Sequence, residues 1–158
     1  MYVMEWKNQA INKYPDIICT DSVITDIQMD KGNVVVDFSK YGFFIKDDCQ
    51  KKYYRTDGAQ IAIEGCDIDS IIIKEARTHQ LSETIYFDSI YDIEVEDFQK
   101  NISGGRWKFE IVEEFYSTSG GLYIGQIREN ETTFWCYIQI KFEKLIYFWN
   151  DLQYEYPF

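Results

Sequence analysis

Hydrophobic residues in this chain recur mostly at every second position, the period of a strand with one buried face. The clearest run is Phe134, Cys136, Ile138, Ile140 and Phe142. It predicts a strand with Phe134, Ile138 and Ile140 buried. Leu145 to Trp149 continues the apolar character, but a single straight strand from Thr132 to Trp149 would approach 60 Å at about 3.3 Å per residue. A bulge or turn is therefore expected near Glu143-Lys144. Trp107, Phe109 and Ile111 alternate in the same way, followed by Leu122 and Ile124.

The first half reads similarly. Val23, Ile27 and Met29, with Thr25 between, alternate ahead of Val34, Val36 and Phe38. Asp30-Lys31-Gly32-Asn33 lies between them, and Gly32 can take positive φ without steric cost, so a hairpin is expected. Gly42 to Ile45 reads as a short strand followed by a polar loop. Ala59, Ile61 and Ile63 form a further strand closed by Gly65. Ile71-Ile72-Ile73 suggests a strand covered on both faces, and Thr84 to Ile90 another strand.

Two segments have helical spacing instead. Trp6, Ala10 and Tyr14 lie four apart, predicting a short helix over Met4 to Tyr14 that stops at Pro15. Val95, Phe98 and Ile102 predict a second helix, with Asp92 as N-cap, Glu94 and Glu96 at the positive end of its dipole, Lys100 at the other end and Gly104 as the stop. Gly104-Gly105-Arg106-Trp107 is echoed sixteen residues later by Gly120-Gly121-Leu122-Tyr123, a spacing that suits successive hairpins with similar turns. The pattern predicts one α+β domain over residues 1–158. It would be mainly antiparallel sheet of about seven to nine strands, as a sandwich or half-open barrel, with two short helices.

Composition sharpens this picture. Thirteen Tyr, eleven Phe and four Trp make the chain 18% aromatic, which suits sheet surfaces. With 27 acidic and 16 basic residues, the net charge is -11. Such a chain repels phosphate backbones and anionic membranes, so nucleic acid and membrane are excluded as primary partners and a basic protein is favoured. Residues 1–20 contain no continuous apolar stretch and carry Glu5, Lys7 and Lys13, so no secretory signal is read and the cytoplasm is expected. The oligomeric state is not legible from the sequence.

Catalytic signatures are lacking. Cys19, Cys49, Cys66 and Cys136 form no C-x-x-C pair, and His79, the only histidine, sits in a polar stretch that reads as a solvated loop. Four free thiols, no metal, no cofactor and no enzymatic activity are expected. The informative cluster is acidic. Between Thr78 and Gln99 there is no Lys or Arg, yet Glu83, Asp88, Asp92, Glu94, Glu96 and Asp97 are interleaved with Tyr86, Tyr91 and Phe98. Carboxylates beside aromatic rings combine steering with contact area, so Glu83, Tyr86, Asp88, Tyr91, Asp92, Glu94, Glu96 and Asp97 are the candidate partner-binding residues. A second acidic group is Glu110, Glu113 and Glu114, near Tyr116, with Glu110 and Glu114 sharing the parity of the polar face.

In its size, acidic balance, aromatic-rich short strands and acids gathered around Tyr86 to Phe98, the chain resembles small bacterial immunity proteins of toxin–immunity systems, including those of contact-dependent inhibition. The resemblance implies a non-catalytic inhibitor that binds one basic toxin domain, often a nuclease, and occludes its active site. The alternatives are a small-molecule-binding β-module, which would enclose an aromatic-lined cavity of several hundred Å³, and a structural or assembly subunit.

Overall fold

The computed structural model describes residues 5–81 and 83–157, with the backbone alone for 77–81, 84–89 and 154–157. The described residues form fourteen strands, one α-helix and one 3-10 turn. The strands are β1 (Asn8–Ile11), β2 (Ile17–Ile18), β3 (Val23–Asp30), β4 (Asn33–Phe38), β5 (Phe44–Lys46), β6 (Tyr53–Thr56), β7 (Ala59–Glu64), β8 (Ile72–Leu81), β9 (Thr84–Asp92), β10 (Lys108–Ser117), β11 (Gly120–Glu129), β12 (Thr132–Lys141), β13 (Lys144–Trp149) and β14 (Leu152–Pro157). The helix, α1, spans Val95–Ser103, and the 3-10 turn Ile68–Ser70.

Ten strands make one antiparallel sheet in the order β1-β13-β7-β4-β3-β10-β11-β12-β8-β9. Its buried face meets Phe98 and Ile102 of α1, both essentially inaccessible. Ile63 of β7 and Ile138 of β12 line the same internal cavity of about 50 Å³. In a flat sheet, five strand spacings of about 4.8 Å, or about 24 Å, would separate those strands. The sheet therefore curls around its core, but it does not close. A second sheet, β14-β6-β5-β2, packs beside it. Phe43 joins the two, meeting Phe38 and Tyr147 edge-on at 5.6 and 5.7 Å.

The strong alternations behave as expected. Phe134, Cys136, Ile138 and Ile140 are buried, β12 ends at Lys141, and a tight connection leads into β13. The β3–β4 hairpin turns at Lys31 and Gly32, both with positive φ. No helix among the described residues is long and apolar enough to cross a membrane. The four cysteines are free; Cys49 is exposed and the others are buried.

Several expectations are corrected. The described part of the expected first helix is instead β1, paired with β13 from Asn8↔Trp149 to Ile11↔Ile146. A helix of that length is marginal alone, whereas the strand gains a full ladder and lets Trp6 pack on Phe148. Of the two expected helices the second forms, as α1, with Gly104 as its cap; the other helical piece among the described residues is the 3-10 turn Ile68–Ser70. The strands outnumber the expected seven to nine because β1, β2 and β6 are too short or too polar to show a period, and because β14, although Leu152, Tyr154 and Tyr156 alternate in it, is not among the expected strands. Ile72 is 42% exposed while Ile71 and Ile73 are buried, so β8 is covered on one face only. The two Gly-Gly stretches are not equivalent: Gly104 caps α1, whereas Gly120 and Gly121 begin β11.

Two β-bulges explain the remaining errors. In β3, Ile24 faces Phe38 and Asp26 faces Asp37, leaving Thr25 as the extra residue. Ile24 and Ile27 therefore point inward, and Val23 does not. In β10, Ile111 faces Gly125 and Glu113 faces Ile124, leaving Val112 extra. Before the bulge Phe109 and Ile111 point inward; after it Glu114 does, and Phe115 is turned out to 52% exposure. On β11, Tyr123 and Ile127 are buried while Leu122 and Ile124 face outward.

Gly125 makes the β10 bulge feasible. A Cβ there would lie 2.1 Å from the Glu110 carbonyl oxygen and 2.8 Å from the Phe109 ring. Gly125→Ala must displace backbone, so it should lower unfolding stability by about 3 kcal/mol, the upper range for overpacking. Urea denaturation measures this, and a change within about 0.5 kcal/mol would mean that the bulge is pliable.

Candidate protein-interaction site

The acidic residues come together where β9 hands the chain to α1. Ile93 donates its amide to the Ile73 carbonyl at 2.9 Å, so the strand ladder runs past Asp92. The helix cap is consequently Glu94 rather than Asp92, and Glu94 makes no side-chain capping bond. Asp92 lies opposite Lys74 on β8, with the charged atoms 3.6 Å apart. Both groups are solvent-accessible, so this pair contributes little to stability. Glu96 and Asp97 occupy the first turn of α1, where the helix dipole favours negative charge.

Between this turn, the 3-10 turn and β8 lies an open cleft of about 610 Å³. Ile68, Ile71, Ile73 and Val95 contribute apolar surface to it, and Asp69, Asp92, Glu94, Glu96 and Asp97 contribute carboxylates. Asp92, Glu94, Glu96 and Asp97 are exposed. Among the described residues no three His, Cys, Asp or Glu side chains converge as a metal site. The negative charge is spread over a surface rather than focused on one point.

The fold does not gather every candidate at this cleft. Tyr91, 53% exposed, adjoins it on β9. Glu83 is exposed beside the β8–β9 turn, nine residues from Asp92 and so about 30 Å away along the strand. Tyr86 and Asp88 belong to the β9 backbone, but their side chains lie outside the described residues, as does that of His79. Asp69 and the exposed Ile72 and Ile90 were missed. Asp69 and Ile72 are distant in sequence from the helix start, and only the β8–β9 pairing brings them near.

A second polar cluster lies inside the protein. The Val112 bulge directs Glu114 into the core, where it is 5% exposed. The expectation that it shares the solvent face with Glu110 fails because one extra residue reverses the side on which it points. Glu114 Oε2 accepts the Cys19 amide at 2.8 Å, while its other carboxylate oxygen and the hydroxyls of Tyr116 and Tyr147 have no hydrogen-bond partner among the described residues. Burial pushes the Glu114 carboxyl up to about 7, and the Cys19 amide only partly offsets this. Burial likewise raises Cys19, Tyr116, Tyr123 and Tyr147, so none of them offers a thiolate or phenolate near neutral pH.

The raised carboxyl has a direct consequence. The folded protein holds the Glu114 proton more tightly than the unfolded chain, so this contribution is intact below about pH 4.5 and is lost as pH rises through about 7. The loss should total about 3 kcal/mol by pH 8, at 1.36 kcal/mol per pH unit of displacement. Glu114→Gln should remove that slope and stabilise the protein at pH 8 but not at pH 4.5. Denaturation across this range tests it; parallel curves for the two proteins would show that Glu114 does not titrate there. No family model, curated protein or solved structure matches this chain.

Proposed function

We propose that this chain is a non-catalytic binding protein that docks its acidic cleft on a cationic groove of a basic protein. Its best specific form is an immunity protein that neutralises a bacterial toxin domain, such as a nuclease, in the cytoplasm by covering its active site. The observation that carries this reading is the cleft itself: five carboxylates around apolar surface, next to an exposed tyrosine. An active site built to hold phosphate presents Arg and Lys donors, and carboxylates can occupy the same positions and accept the same bonds. The apolar surface would supply contact area and the acids would supply steering. The small-molecule alternative is weakened because the enclosed cavity measures about 50 Å³ and is lined mainly by Ile, Val and Phe rather than by Tyr and Trp.

The test is to isolate the partner from the source cells and follow association by stopped flow. Raising ionic strength from about 0.01 M to about 0.15 M shortens the screening length from about 30 Å to about 8 Å, and should slow association by about tenfold or more. Combining Glu94→Gln, Glu96→Gln and Asp97→Asn should slow it similarly at low salt, with one of the three carrying about 2 kcal/mol or more of affinity. An association rate indifferent to both salt and these substitutions would reject the cleft as the docking surface.

A further inference from the structure

Strand β9 is the last strand of the ten-stranded sheet, and among the described residues nothing pairs with its outer edge. The opposite edge is β1, only four residues long, whereas β9 has nine. A long open strand normally risks unwanted pairing, and proteins often protect such edges with lysine. This one has a bulge at Asp88, between the pairs Arg77↔Ser89 and Thr78↔Phe87, but no Lys or Arg anywhere between Thr78 and Gln99, and from Ser89 to Asp92 its ladder to β8 is regular. The backbone directions follow from the ladder. Ile93 donates inward to Ile73, and Tyr91 lies opposite Glu75. In an antiparallel pair the inward and outward groups alternate, so the amides and carbonyls of Ile90 and Asp92 point away from β8. Ile90 is 61% exposed and lies beside an apolar groove lined by Ala76, Trp135 and Ile124.

We infer that the β9 edge accepts one strand from the basic partner, adding an eleventh strand to the sheet, with that strand carrying both basic and apolar residues on the face it shares with Asp92 and Ile90. This inference deepens the reading of an acidic docking protein and rests on it. The occupant follows from charge. A second copy of this chain would set the same acidic segment, with Glu83, Asp88 and Asp92, against itself, and like charges across a strand pair are destabilising. A lysine-bearing strand meets opposite charge instead: Asp92 and Ile90 share one face of the sheet, so a lysine opposite Asp92 and an apolar residue opposite Ile90, two positions apart, serve the charge and the neighbouring groove together.

The probe is a blocked, labelled peptide of about ten residues, the length of a long strand, with a repeat of two lysines and two valines so that both residue types alternate along each face. Two controls accompany it: the same peptide N-methylated at alternate amides, which keeps charge but cannot complete a ladder, and a glutamate–valine version. Fluorescence anisotropy at low salt gives the affinities, and amide exchange reports on Ile90 and Asp92. The expected result is binding of the lysine peptide with new protection of those two amides. N-methylation should then weaken binding about tenfold or more, as should Ile90→Pro, which removes one outward donor at a position where an edge strand tolerates proline. Equal binding by the N-methylated peptide and by Ile90→Pro would show attraction by charge alone, overturning the strand inference while leaving the basic partner intact. Equal binding by the glutamate peptide would overturn the basic occupant. Absence of lysine-peptide binding would overturn the strand inference, leaving the salt dependence of partner association to judge the docking surface. Should the proline variant fail to fold, the N-methylated peptide decides alone.

Discussion

The close approach of Gly125 to the Glu110 carbonyl and the Phe109 ring governs the middle of the large sheet. It allows β10 to take in one extra residue, Val112, against β11. That insertion gives β10 two differently directed halves. Phe109 and Ile111 contribute to the core beneath α1, with Phe98 of the helix meeting Phe109 edge-on at 6.1 Å. Glu114 and Tyr116 turn toward the region where the second sheet docks. β10 also parts from β3 here: the two pair only at Phe109↔Ile24 and Glu110↔Val23. Beyond that point the chain around Cys19 to Ser22 takes over the exposed edge of β10. Asp21 donates to Ile111 and Ile111 donates to Ser22, while Glu114 holds the Cys19 amide. The two sheets are thus joined at the bulge.

The joint is costly, and its cost is local. A carboxylate buried beside three tyrosines and a thiol leaves hydroxyl and carboxylate oxygens without partners, each a desolvation penalty. Replacing Glu114 with an apolar residue would leave the Cys19 amide unpaired instead, so the acid serves as a cap for one strand end. Tyr116 adds to the packing: its ring sits 4.8 Å from that of Tyr14 and 5.8 Å from that of Tyr123. It also lies over Gly121, where a Cβ would come within 3.2 Å. Phe43 fastens the two sheets together through edge-on contacts with Phe38, Tyr147 and Trp149.

Much of the sheet was legible because its central strands obey a strict two-residue period: β4, β7 and β12 each bury alternate residues as written. The α1 helix was legible from Val95, Phe98 and Ile102, although its cap was placed two residues early because the Ile93–Ile73 hydrogen bond extends the ladder. The bulges at Thr25 and Val112 were not legible. A bulge changes parity without leaving a turn residue in its own strand, and the signal for the second one, Gly125, lies on the neighbouring strand. Strands β1, β2 and β14 draw their stability from partners remote in sequence, such as β13 for β1. For the site, the acids from Asp92 to Asp97 could be grouped because they are contiguous, whereas Asp69 joins them only through β8. Glu83 was grouped with them by sequence proximity, and an extended strand carries it about 30 Å away.

The placement of charge relative to hydrogen-bonding capacity links the cleft and the open edge. Helix α1 is fixed from below: Phe98 and Ile102 are locked in the core, and the Gln99 side chain donates to the Ile27 carbonyl at 3.2 Å. Its first turn therefore holds Glu96 and Asp97 in place without the acids having to bond to anything. Glu94, as a cap without a side-chain bond, is likewise left available. With the helix backbone already anchored, the ordering cost on binding is confined to the rotamers of the acids themselves. The β9 edge is anchored by the β8 ladder in the same way, with its outward amides already aligned. Both features adjoin Asp92, and among the described residues the carboxylates of Glu94, Glu96 and Asp97 and the outer edge of β9 have no partner. A partner offering only positive charge would use the first, and one offering only an extended backbone would use the second. A basic, extended segment could engage both at once, and the two contributions would reinforce each other because both sites flank Asp92 and one segment reaches them together.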